Sequence, residues 1–170
     1  MTLQETLETK LEAFGPELSV FTNLYLDAHR ERGEQADMVL LHKTGIYLLE
    51  LVDVDGMIYG SESTGQWTLR RPDGTATYLE DPVRKSFVHA DLLSKKCKGM
   101  GPYLIPYVIW GEHAQIVDLQ VKSDITLCGP ELFLSKLRLQ EFANTVIPAK
   151  TRDGFAMQLK MLQMMSKSRQ

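Results

Sequence analysis

Two carboxylates, Asp37 and Glu50, stand at the outer ends of two short apolar runs, Met38-Val-Leu-Leu and Ile46-Tyr-Leu-Leu, separated by Lys43-Thr44-Gly45. Aliphatic, β-prone runs around a glycine-containing turn predict an antiparallel hairpin. With the turn centred near Thr44 and Gly45, Asp37 is expected opposite Val52 and diagonal to Glu50, and alternation along the strands puts all three side chains on one face. A hard divalent cation, Mg²⁺ or Mn²⁺, takes one or two carboxylates and completes its shell with water and phosphate oxygens. The pair therefore suits phosphodiester chemistry better than a closed structural metal cage. The competing reading makes Asp37 a strand-entry residue and Glu50 a solvated edge charge, an ordinary arrangement at hairpin ends.

The elements that must position this pair are legible around it. Leu3, Leu7, Leu11 and Phe14 recur at helical spacing, Thr2 and Glu5 form a capping-box pattern, and Gly15-Pro16 ends the run. A strand is expected from Glu17 to Leu26, then a charged loop from Asp27 to Gln35 leading into the hairpin. Trp67-Thr-Leu-Arg and Ala76-Thr-Tyr-Leu flank a Pro72-Asp73-Gly74 turn and predict a second hairpin extending the same sheet. Pro82 sits in the first turn of a helix capped by Asp81, with Val83, Phe87, Val88, Leu92 and Leu93 on its apolar side. Strands are expected over Tyr103 to Trp110 and Gln115 to Val121, a helix from Glu131 to about Phe142, and a last helix beginning near Asp153. Its methionines, Met157, Met161, Met164 and Met165, are expected mainly in the core. The whole is an α/β fold: a mixed sheet around a central antiparallel carboxylate hairpin, flanked by helices.

At 170 residues, 44% of them apolar, the chain suits one globular domain with a proper core. A net charge of −3 gives no global attraction to nucleic acid, so such binding would need a local patch. Arg84, Lys85, Lys95, Lys96 and Lys98, with Arg70 and Arg71, concentrate positive charge mid-chain, although solvated helix charges are the more frequent explanation. Cys97 and Cys128 lack zinc-ligand or disulfide spacing, and His29, His42, His89 and His113 lack metal-binding spacing. Phosphate loops, nucleophile elbows and dinucleotide fingerprints are absent, which removes NTPases, α/β-hydrolases and Rossmann oxidoreductases. No apolar run approaches the ~20 residues that span a bilayer, and no leader pattern opens the chain, so the expectation is a cytoplasmic protein without membrane association.

The N-terminal helix, Asp37 on a strand, Gly45 at a turn, Glu50, Asp55-Gly56, Trp67 and then Tyr78-Leu79-Glu80-Asp81-Pro82 together resemble the nuclease-related domain (NERD), a branch of the PD-(D/E)xK nuclease superfamily. The resemblance covers most of the chain. It implies a restriction-endonuclease-like domain over residues 1–150, with residues 151–170 forming a methionine-rich helix packed on it. It implies a site made of a helix glutamate (Glu5 or Glu8), Asp37, Glu50 and a lysine, and here the lysine position holds Val52. That lysine helps orient the attacking water and offsets charge on the phosphate, which valine cannot do. Lys43 has the right strand parity, but six residues at ~3.3 Å put it about 20 Å from Asp37. Lys85 falls where the family has a glutamine three residues after the proline, so it is the candidate replacement; the alternative is an ordinary basic face shared with Arg84, His89 and Lys96.

The expectation carried forward is a NERD-like DNA hydrolase. Asp37 and Glu50 would hold Mg²⁺ or Mn²⁺, Glu5 and Lys85 would complete the catalytic set, and Arg84 and His89 would contact substrate; a homodimer is the expected assembly if the chain associates. The competing expectation is an inactive pseudonuclease retained as a nucleic-acid or protein interaction module.

Overall fold

A computed structural model describes residues 1–27 and 34–168. His29, most of the charged segment after Asp27, and Arg169 of the basic tail lie outside the described residues. In chain order the elements are α1 (Leu3–Leu11), β1 (Ser19–Tyr25), β2 (Gln35–His42), β3 (Gly45–Val52), β4 (Gly56–Ser61), β5 (Gln66–Arg70), β6 (Ala76–Leu79), α2 (Pro82–Lys96), β7 (Leu104–Trp110), β8 (Ala114–Gln120), β9 (Thr126–Cys128), α3 (Pro130–Leu139) and α4 (Ala149–Lys167). No helix among them is long and apolar enough to cross a membrane.

The expected capping box opens α1: the Glu5 N–H donates to the Thr2 hydroxyl at 3.1 Å and the Thr2 N–H donates to the Glu5 carboxylate at 2.8 Å. Leu3, Leu7 and Leu11 are buried at helical spacing, and Gly15 turns the chain toward β1 with φ of 67°.

The central sheet has the order β1-β2-β3-β7-β9. The hairpin forms with β3 at its middle, but its turn is tighter than expected. His42 pairs with Gly45 and Met38 with Leu49, leaving Lys43 and Thr44 as the two turn residues. Continuing that register brings Asp37 across from Glu50, not Val52; both still share a face. On the far side β3 pairs in parallel with β7, with Glu50 beside Val108.

Alternation divides the core into two layers. Val39, Leu41, Ile46 and Leu48 pack with Leu93 of α2, with Cys97 just after it, and with Phe155, Leu159 and Leu162 of α4. Met38, Leu40, Tyr47 and Leu49 pack on the other side with α1, with Phe133, Leu134 and Leu137 of α3, and with Cys128. Both cysteines are free and buried.

The second hairpin does not extend this sheet. It belongs to a separate one, β6-β5-β4-β8, in which β4 runs parallel to β8. Trp67, Leu69 and Ile58 face inward from that sheet to meet Val52, Val108 and Val83, so a third cluster joins both sheets to α2. Gly60 is required here, because a Cβ on it would meet the Trp67 ring at 2.3 Å.

Two expectations about α4 are corrected. The helix starts at Ala149, directly after Pro148, earlier than the expected Asp153. It docks on β1 through Phe155, Leu159 and Leu162, whereas Met157, Met161, Met164 and Met165 all point to solvent.

Candidate active site

The alternation that aims Ile46 and Leu48 at α2 carries Glu50 to the same face, where its side chain is only 2% exposed. A carboxylate removed from water requires a compensating charge or several hydrogen bonds. The compensation comes from α2. His89 has no solvent exposure and one ring nitrogen, Nδ1, bonds Glu50 Oε1. Its other nitrogen, Nε2, lies 2.9 Å from Oε2 of Glu34, the residue that precedes β2. One helical turn before His89, Lys85 places Nζ 4.0 Å from Glu50 Oε2. The result is a row, Glu34, His89, Glu50, Lys85, assembled from the approach to β2, the C-terminal part of β3 and one face of α2.

The electrostatics of the row follow from burial and pairing. Burial is the largest influence on Glu50 and lifts its carboxyl above the ordinary range, with the nearby charge of Asp37 adding to the rise and His89 and Lys85 opposing it. For His89 burial pulls downward, but the hydrogen bonds and charges of Glu50 and Glu34 together outweigh it and raise the imidazole. Ionised carboxylates only accept, so facing one at each nitrogen calls for hydrogens on both.

Asp37 occupies the point where β2 and β3 part. Its Oδ2 accepts the Leu51 N–H at 2.9 Å, standing in for a backbone carbonyl beyond the last ladder pair. Asp37 also lines a concavity of about 350 Å³ with Glu5 and Asp53. Asp53 accepts the Leu3 N–H at 2.9 Å and anchors the start of α1. Among the described residues no group of three His, Cys, Asp or Glu side chains converges closely enough to hold a metal ion.

The remaining expected site residues fall as follows. Glu5 is exposed and engaged in its capping box. His89, expected as a substrate contact on a solvated basic face, is wholly enclosed between two carboxylates and is inaccessible to a ligand in solvent. Arg84 is exposed and lines, with Lys85, Glu34, Tyr78 and Glu80, a groove of about 460 Å³. Val52 is buried in the inter-sheet cluster. Lys43 is occupied at the turn, where Nζ donates to the Glu141 carbonyl at 2.9 Å. Sequence reasoning missed Glu34, which no motif marks, and Tyr78, which is exposed on β6 beside the half-buried Leu79.

A protein-family model described as "Nuclease-related domain" matches residues 3–111. No curated protein matches the chain. Among solved structures, one titled "Crystal Structure of Protein of Unknown Function AF1548" aligns with 98% of this chain and 91% of its own at 11% identity, with a TM-score of 0.43.

Proposed function

Because the chain belongs to the nuclease-related domain family, whose model spans more than half of it, we propose that it is a metal-dependent phosphodiester hydrolase acting on DNA, with Lys85 taking the part of the lysine replaced by Val52. The observation that carries this reading is the 4.0 Å approach of Lys85 Nζ to the buried Glu50 carboxylate.

The donor set suits a hard cation that keeps part of its own shell. Asp37 commits Oδ2 to Leu51, and Lys85 Nζ stands 4.0 Å from Glu50 Oε2, beyond hydrogen-bonding distance. Two oxygens thus remain on adjacent carboxylates, a pair that needs water and phosphate to complete a coordination shell. When bound there, Mg²⁺ or Mn²⁺ supplies Lewis-acid polarisation of a phosphoryl oxygen. The protein residues do the rest. His89 fixes Glu50 in orientation and keeps its charge balanced in a buried setting. The Lys85 ammonium, partly exposed toward the groove, offsets negative charge developing on the phosphate and orients the attacking water. Arg84, on the same groove, holds a neighbouring phosphate of the strand.

A second reading, a pseudonuclease that binds without cleaving, is favoured by one observation: Glu50 spends Oε1 on His89. Calorimetric titration of Mn²⁺ and Mg²⁺ into the parent, Asp37→Ala and Lys85→Ala proteins, followed by plasmid nicking, separates the two. The hydrolase requires metal binding that Asp37→Ala abolishes, and nicking that Lys85→Ala lowers by about 100-fold or more, the scale of losing a positioned charge at a phosphoryl centre. Absence of Asp37-dependent metal binding would leave the pseudonuclease.

A further inference from the structure

We propose that the groove along α2 binds an unpaired strand of nucleic acid, with one base stacked on Tyr78 and the adjoining phosphate held by Arg84. This deepens the hydrolase reading by naming its substrate as single-stranded and rests on that reading for its biological use.

Tyr78 sits on β6, an edge strand of the second sheet, and its ring is 74% exposed. A tyrosine left this open on an edge strand contributes little to folding, and it lines the 460 Å³ groove together with Lys85. That volume suits one nucleotide-sized ligand. Past Gly65, Arg84 and Val88 the groove continues into a second concavity of about 520 Å³, where Phe87 lies 40% exposed. Two open aromatic residues therefore flank one guanidinium along a trough that Lys85 also lines.

Five carboxylates and two cations, Arg84 and Lys85, line the trough. Its carboxylates are almost all committed: Asp81 caps α2, Glu34 bonds His89, Asp91 pairs with Lys95 at 2.9 Å, and Glu62 is held by Ser123 and the Lys122 N–H. Glu80 is the lining carboxylate with no hydrogen bond or ion pair among the described residues. The Arg84 guanidinium likewise has no carboxylate partner among them, and its backbone N–H is fixed by Asp81. A free guanidinium between exposed rings is the combination used to bind single strands, since every base offers a face to stack and every nucleotide a phosphate to pair. In a duplex the bases are stacked on one another, so Tyr78 would have no base face to take.

The test is fluorescence anisotropy of a labelled thymidine oligonucleotide, single-stranded or annealed to its complement, with EDTA present so that binding is read apart from cleavage. The expected result is tighter binding of the single strand, weakened about tenfold by Tyr78→Ala, retained by Tyr78→Phe, and weakened with a shallower salt dependence by Arg84→Ala. Equal affinity for the two forms, or Tyr78→Ala binding like the parent, would overturn the proposal. Plasmid nicking and single-strand cleavage with Mn²⁺ on the same samples keep the two readings separate. Tyr78-dependent binding without any cleavage supports the groove and removes the hydrolase. Cleavage by the parent and Tyr78→Ala alike, with unchanged binding, removes the groove and keeps the hydrolase.

Discussion

At the scale of single residues, Glu50 and His89 set both the chemistry and the pH response of the molecule. In the unfolded chain their ordinary values are 4.5 and 6.5, and in the folded protein both are raised. The native state therefore holds a proton to higher pH than the unfolded state does. The stability due to His89 is full below about 6.5 and is lost as pH rises through its folded value; Glu50 acts in the same direction from its lower starting point. Urea unfolding of the metal-free protein should show stability falling above pH 6.5 with a slope of up to about 1.4 kcal/mol per pH unit for the one proton involved. His89→Gln should flatten that slope. His89→Ala should cost about 3 kcal/mol at pH 5, where the charged imidazole pairs with both carboxylates, and less at pH 8, where that contribution is lost. Equal destabilisation at both pH values would mean the loss is one of packing alone.

At the scale of elements, α2 is the part on which the site depends, and its first turn is fixed by Asp81. One carboxylate oxygen there accepts the N–H groups of Val83 and Arg84 at 2.9 and 3.1 Å, next to Pro82 in the first turn. Asp81→Ala should lower stability by about 1–2 kcal/mol in a denaturant titration. It should also reduce nucleic-acid affinity, because Arg84 and Lys85 lie in the turn it organises. This cap, the capping box of α1 and the carboxylate hairpin were all legible in the sequence because each is a local signal, set by residues a few positions apart. The partners of the parallel strands were not. Glu50 lies beside Val108, and Gly56 beside Ala114, through pairings that no turn specifies, so the second hairpin could not be assigned to its own sheet from its turn chemistry alone. The same limit hid Glu34: its role exists only once α2 is laid across β3. The register of the first hairpin slipped for a smaller reason, a two-residue turn where three had been counted, and parity preserved the shared face of Asp37 and Glu50.

At the scale of the whole molecule, α4 separates two kinds of apolar residue that look alike in sequence. Leu159→Ala should cost about 2–5 kcal/mol, whereas replacing Met157, Met161, Met164 and Met165 together by glutamine should leave the unfolding midpoint nearly unchanged, as expected of side chains already in water. A large loss from the quadruple substitution would mean these methionines are covered in solution. The two thiols extend the argument to the architecture. Cys97 lies in the layer between the central sheet and the α2 and α4 helices, Cys128 in the layer with α1 and α3, and burial raises both above the usual thiol range. Each layer thus carries its own chemical stopwatch. Under native conditions an alkylating reagent can reach either sulfur only when its layer opens. Mass spectrometry of the time course would reveal whether the halves breathe in unison, giving equal labelling rates, or whether one side of the sheet unlatches while the other stays shut.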